Sequence, residues 1–109
     1  MFTLDQRTEI SRAFDAGNYA NAYTSADLDD HDIDAMVGHE RAAFVLGFFS
    51  SYSLDEIGAD RETYDECYFS SAGRAVVGAG FCDDRSDEYR AETADEWPAM
   101  PSGVAYLDE

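Results

Sequence analysis

A chain of 109 residues with 45% hydrophobic and 14% aromatic content is long enough to build one domain around its own core, and too apolar for a disordered tail. Its formal charge is −17, and its seven cations (Arg7, Arg12, Arg41, Arg61, Arg74, Arg85 and Arg90) include no lysine. Such a surface argues against direct binding of nucleic acid or anionic membrane and points to cationic partners: basic proteins, metal ions or a salt-rich solvent.

The opening MFTLDQRTEI lacks the basic start and apolar run of a signal peptide, and no apolar run approaches the roughly 20 residues of a membrane span. Cys67 and Cys82, without an export signal, point to a cytosolic protein with reduced thiols; a disulfide between them is the alternative. Thr3 and Gln6 read as a capping box opening a helix over about 4–15, with Leu4, Ile10, Ala13 and Phe14 on its apolar face and Gly17 and Asn18 ending it. NYANAYTSA, 18–26, reads as a short second helix that sets Tyr19 and Tyr23 four residues apart.

DLDDHDID, 27–34, is an acidic loop leading into the most apolar segment. From Ile33 onward, Met36, Val37, Phe44, Gly47 and Phe48 keep helical spacing, and the uncharged run 42–53 reads as a buried central helix, with a strand at FVLGFF as the alternative. Ser53 and Glu56 form a second capping box, with Gly58 as an early stop. Residues 61–77 read as one helix with Tyr64, Cys67, Tyr68, Ser71, Ala72 and Ala75 on a shared face, although Gly73 weakens it and VVGAGF suits a strand or turn. A last helix is expected over about 84–96, anchored by Tyr89 and Trp97, before a tail broken by Pro98 and Pro101 in which GVAYL suits an edge strand. The expected architecture is a single domain over 1–109, mostly α and compact, with a short β element (an α+β fold) as the alternative.

No chemical motif is complete. Asp30, Asp32 and Asp34 match the first three ligands of a calcium loop, but position 6 is Ala35 rather than glycine and position 12 is Arg41 rather than glutamate. His31, His39, Cys67 and Cys82 lack the paired spacing of a zinc site, so ordinary histidines and thiols are the expectation, with neither metal nor cofactor. The 24 acids offer many carboxylate pairs and single out none, and there is no nucleophile elbow, P-loop or dinucleotide fingerprint. A non-enzymatic role is expected. The seven tyrosines and seven phenylalanines are mostly core by default, and a minority exposed among the acids, such as Tyr64, Tyr68 or Tyr89, would suit a protein interface.

The acids fall into three blocks: Asp27, Asp29, Asp30, Asp32 and Asp34; then Asp55, Glu56, Asp60, Glu62, Asp65 and Glu66; then DDRSDEYRAETADE, 83–96. In the third, Asp84, Glu88, Glu92 and Glu96 recur every four residues with Asp87 and Asp95 beside them, an arrangement that weakens a helix by a few tenths of a kcal/mol per pair, roughly. Carboxylates one turn apart sit about 5–6 Å from each other. That spacing is comparable with successive phosphates on a strand, so such a helix can satisfy several cations of a nucleic-acid-binding surface and release counterions from both sides.

DLDDHDID, SLDEIGADRETYDE and DDRSDEYRAETADE, set on a small aromatic-rich domain, resemble the acidic DNA-mimic inhibitors carried by phages and mobile elements, of the anti-CRISPR and anti-restriction type. The resemblance is one of composition and charge pattern across most of the chain. It implies inhibition by covering the DNA-binding surface of a CRISPR or restriction complex in the host cytoplasm, and it carries over no individual residues. The residues themselves nominate Asp84, Asp87, Glu88, Glu92 and Glu96 as main phosphate surrogates, with Asp95 beside them and Glu62, Asp65 and Glu66 second. Two alternatives stay open: salt adaptation, which also replaces lysine with acids, and a small regulatory module that binds one basic protein. A homodimer through the aromatic surface is a further expectation.

Overall fold

Thr3 starts the first helix by accepting a hydrogen bond from the Gln6 N–H at 3.1 Å while its own N–H donates to Gln6 Oε1 at 2.8 Å, so the capping box forms. The computed structural model describes residues 3–24, 27–81, 83–93 and 95. Helix α1 runs from Leu4 to Tyr19, past the glycine expected to end it. Gly17 is instead buried where α1 crosses helix α2, Gly38–Phe48. A Cβ on Gly17 would lie 2.1 Å from the Phe44 carbonyl oxygen, and one on Gly47 would lie 2.2 Å from that of Phe14. The two backbones therefore touch at a pair of glycines, and the bare Cα serves packing rather than termination.

No separate second helix follows. The chain continues from α1 into a π-helical turn, Ala20–Thr24, which brings the Tyr19 and Tyr23 rings to 5.0 Å. The acidic loop then forms two short 3₁₀ turns, Leu28–Asp30 and Ile33–Ala35, the first capped by the Asp27 carboxylate accepting from the Asp29 N–H. Leu28 pins this loop to the core at 1% exposure, and the His31 ring packs against Phe44 and Phe48.

Helix α2 starts later than the hydrophobic spacing suggests, because Val37 is its N-cap and stands 71% exposed. From Ala42 to Phe48 every residue is buried, so the apolar segment is a helix covered on all sides and FVLGFF is not a strand. The Ser53–Glu56 capping box opens the short α3, Leu54–Ile57, and Gly58 at φ +59 ends it before a 3₁₀ turn at Gly58–Asp60.

The single helix expected over 61–77 is two, α4 at Arg61–Tyr68 and α5 at Ser71–Gly78. Ser70 makes the break: its hydroxyl donates to the Cys67 carbonyl at 2.6 Å and accepts from the Gly73 N–H at 2.9 Å, capping the new helix. Gly73 lets α5 press onto the end of α4, since a Cβ there would sit 1.8 Å from the Cys67 carbonyl oxygen. VVGAGF closes α5 and turns at Gly80, φ +88, rather than forming a strand.

Helix α6 spans Asp83–Glu92. Trp97, Glu96, Cys82 and the GVAYL segment lie outside the described residues. One continuous core joins α1 through α5 and takes Tyr89 from α6. Among the described residues there is no strand, and no helix is long and apolar enough to cross a membrane. Cys67 is a free, buried thiol.

Candidate acidic partner interface

Among its described side chains α6 buries Ser86 and Tyr89, and Thr93 just past its end is buried too, which gives the spacing i, i+3 and i+7. Only one of the three is a large side chain. Tyr89 enters an aromatic box with ring centroids 4.1 Å from Tyr68, 5.3 Å from Tyr64 and 5.8 Å from Phe69. Tyr64, Tyr68 and Tyr89 are each at most 1% exposed, so they follow the core default and are not among any tyrosines left to face a partner. Tyrosines beside acids in sequence point inward here because, on one helix turn, the two residue types occupy opposite faces.

Arg61 clamps α6 to α4. Its Nε donates to Asp65 Oδ1 at 2.9 Å, its Nη2 donates to Glu92 Oε1 at 2.8 Å, and its guanidinium carbon lies 5.2 Å from the centre of the Tyr89 ring. Asp65 Oδ1 also accepts the Tyr89 hydroxyl. The contacts Arg61–Glu92 and Asp65–Tyr89 run in opposite senses along the chain, so α4 and α6 lie antiparallel where they meet. Burial opposes the Arg61 charge, but hydrogen bonds to Glu92, Asp65 and Tyr89 outweigh it and hold the guanidinium more firmly protonated than usual.

These contacts divide the expected phosphate surrogates. Asp65 and Glu92 are engaged by Arg61, and Glu66 sits 3.4 Å from Arg41 Nη1 in an exposed pair of small energetic weight. Glu62, Asp87, Glu88 and Asp95 are exposed to solvent. Asp84 belongs to α6, although its side chain and the whole of Glu96 lie outside the described residues.

The internal counter-cations Arg61 and Arg41 were not singled out from the sequence. Arg61 and Asp65 are four apart on one helix, which was a legible signal; the reach to Glu92 was not. Folding also merges two acidic blocks. Burial pushes the Asp60 carboxyl up, and Asp29 and Asp27 push it further, so the loop and the turn before α4 share a strained negative field. Among the described residues no group of three or more His, Cys, Asp or Glu side chains is arranged to hold a metal ion.

Two buried neutral acids make the fold sensitive to alkali. Burial pushes the Cys67 thiol up to about 11, despite the Arg41 guanidinium 3.2 Å from its sulfur. Burial and the bond to Asp65 hold the Tyr89 phenol well above its usual range. Unfolded, these groups ionise near their ordinary values of 9.0 and 10.0, whereas the folded protein retains both protons longer. Their stabilising contribution is therefore complete below pH 9, and it falls as pH rises past each unfolded value until the folded value is reached. The urea midpoint at pH 10.5 should lie below that at pH 7.5, and Tyr89→Phe should flatten the upper part of the fall. An unchanged midpoint would contradict the protonation states assigned here.

Set against protein-family models, curated proteins and solved structures, the chain matches none.

Proposed function

We propose that the protein is a stoichiometric inhibitor of a nucleic-acid-binding host-defence complex, of the anti-CRISPR or anti-restriction kind, working in the host cytoplasm. In this reading the acid-bearing surfaces of α4 and α6 take the place of nucleic-acid phosphates on the partner's arginines and lysines. The observation that carries it is the Arg61 clamp, which fastens two acid-bearing helices together at the expense of only two carboxylates and leaves Glu62, Asp87, Glu88 and Asp95 exposed. A preorganised array binds cations with less ordering cost than separate mobile side chains. Binding also relieves part of the self-repulsion of a chain at −17. No catalytic step and no cofactor enter this mechanism.

A pull-down from nuclease-treated host lysate at near-physiological salt tests it. The expected result is capture of a nucleic-acid-binding defence complex that is released by competitor DNA and by raised salt. Capture of a partner indifferent to DNA would replace mimicry with a regulatory role. A protein that captures nothing and folds only in molar salt would be a salt-adapted domain instead.

A further inference from the structure

Most described tyrosines are drawn into the core, yet Tyr19 and Tyr23 stand 60% and 77% exposed. Their rings are 5.0 Å apart with planes 41° to each other, so they form an open, tilted pair. The pair is held in place from beneath. Ala20 is buried, the Thr24 hydroxyl closes the π turn onto the Ala20 carbonyl at 2.8 Å, and Ser50 donates to Asn18 Oδ1 at 2.7 Å. π-helical turns often mark functional positions. Asp15, also exposed, precedes Tyr19 by four residues on α1 and so lies on the same face one turn away.

A carboxylate beside a tyrosine face is a combination this molecule already uses for one cation: Arg61 lies over the Tyr89 ring while bonded to Asp65. Guanidinium suits it better than ammonium, because its planar fork stacks on the ring while its N–H groups meet the carboxylate. We infer that Asp15, Tyr19 and Tyr23 form a second contact surface that receives an arginine side chain of the cationic partner. The choice of occupant rests on charge complementarity with a chain at −17 and on the partner class of the proposed function. The surface is separate from the acids of α4 and α6, and it reads the kind of cation where they read only charge.

The test is an NMR titration of the full chain, at about 0.15 M salt, with an eight-arginine peptide and its eight-lysine counterpart. The arginine peptide should shift the Tyr19 and Tyr23 ring signals and bind roughly three- to fivefold more tightly than the lysine peptide. A Tyr19→Ala, Tyr23→Ala variant should bind both peptides equally. Equal binding by the unsubstituted protein, or a preference that survives in the variant, would overturn the inference. Ring signals that move on diluting the protein alone would also overturn it, by making the pair a contact with a second copy. A variant carrying Asp87→Lys and Glu88→Lys separates the two readings. Should it keep both the arginine preference and inhibition, the tyrosine surface stands and the α4–α6 interface falls. Should it lose inhibition while the preference proves independent of the tyrosines, the reverse holds.

Discussion

Gly47→Ala is expected to destabilise the protein by forcing apart the α1–α2 packing. The new Cβ would stand 2.2 Å from the Phe14 carbonyl oxygen and 3.0 Å from its Cα, both backbone atoms that cannot rotate away. Relief requires α1 and α2 to move apart along their whole contact, which loosens Ile10, Ala13, Phe14, Phe44 and Phe48 together. Overpacking of a close-packed core typically costs about 1–3 kcal/mol and at times more. Against it stands the helix-propensity gain of alanine over glycine, about 1 kcal/mol. The clash should win, because the opposing atoms are rigid and the chain already carries heavy self-repulsion. A net loss of about 2 kcal/mol or more is expected in urea unfolding, a large share of a small domain's stability.

Two comparisons sharpen this expectation. Gly38→Ala, where a Cβ would meet nothing within 4 Å, should be neutral or stabilising. Gly17→Ala adds its Cβ at the same crossing, 2.1 Å from the Phe44 oxygen, so the double variant should lose less than the two single losses added together. Once the helices have parted for one methyl, the second finds room. A Gly47→Ala protein within half a kcal/mol of the parent, roughly, would mean that the crossing is looser than these distances imply.

The same glycines show where sequence reading succeeds and where it stops. Both capping boxes, at Thr3 and Ser53, were legible because each is a local exchange of hydrogen bonds within four residues. The buried central helix was legible from its uncharged run. Gly17 was misread because a glycine after a helical run serves equally as a terminator and as a close-approach point, and only the position of Phe44 distinguishes them. The break at Ser70 hid within a continuous helical pattern, since a serine caps only where the chain has somewhere to turn. The acids were legible as blocks, but their division into clamped and exposed depends on Arg61, whose reach to Glu92 spans 31 residues. Which tyrosines escape the core was illegible for the same reason: Tyr19 and Tyr89 both sit near acids in the sequence, and tertiary packing alone buries the second.

Reversing Asp87 and Glu88 to lysine should abolish inhibition while leaving the fold intact, and it is a cleaner test than altering Glu92. Both side chains are exposed, and each reversal removes two units of negative charge, so stability should hold or rise slightly. Glu92→Lys, by contrast, sets an ammonium against Arg61, breaks the 2.8 Å contact and weakens the seat of α6. Loss of activity there would confuse a lost contact with a displaced helix. At a phosphate-binding surface the two new lysines would face the partner's own cations. Like-charge juxtaposition costs several kcal/mol, so partner affinity should fall by about 100-fold or more. The fall should shrink at high salt, and the salt dependence of whatever binding remains should be shallower than the parent's. Hydrogen exchange of Tyr89 and Thr93 amides should stay at parental rates, showing that α6 keeps its seat. Full inhibition by this variant, with α6 still docked, would remove α6 from the contact surface and leave the first acidic block, joined to Asp60 through Asp27 and Asp29, as the next place to look.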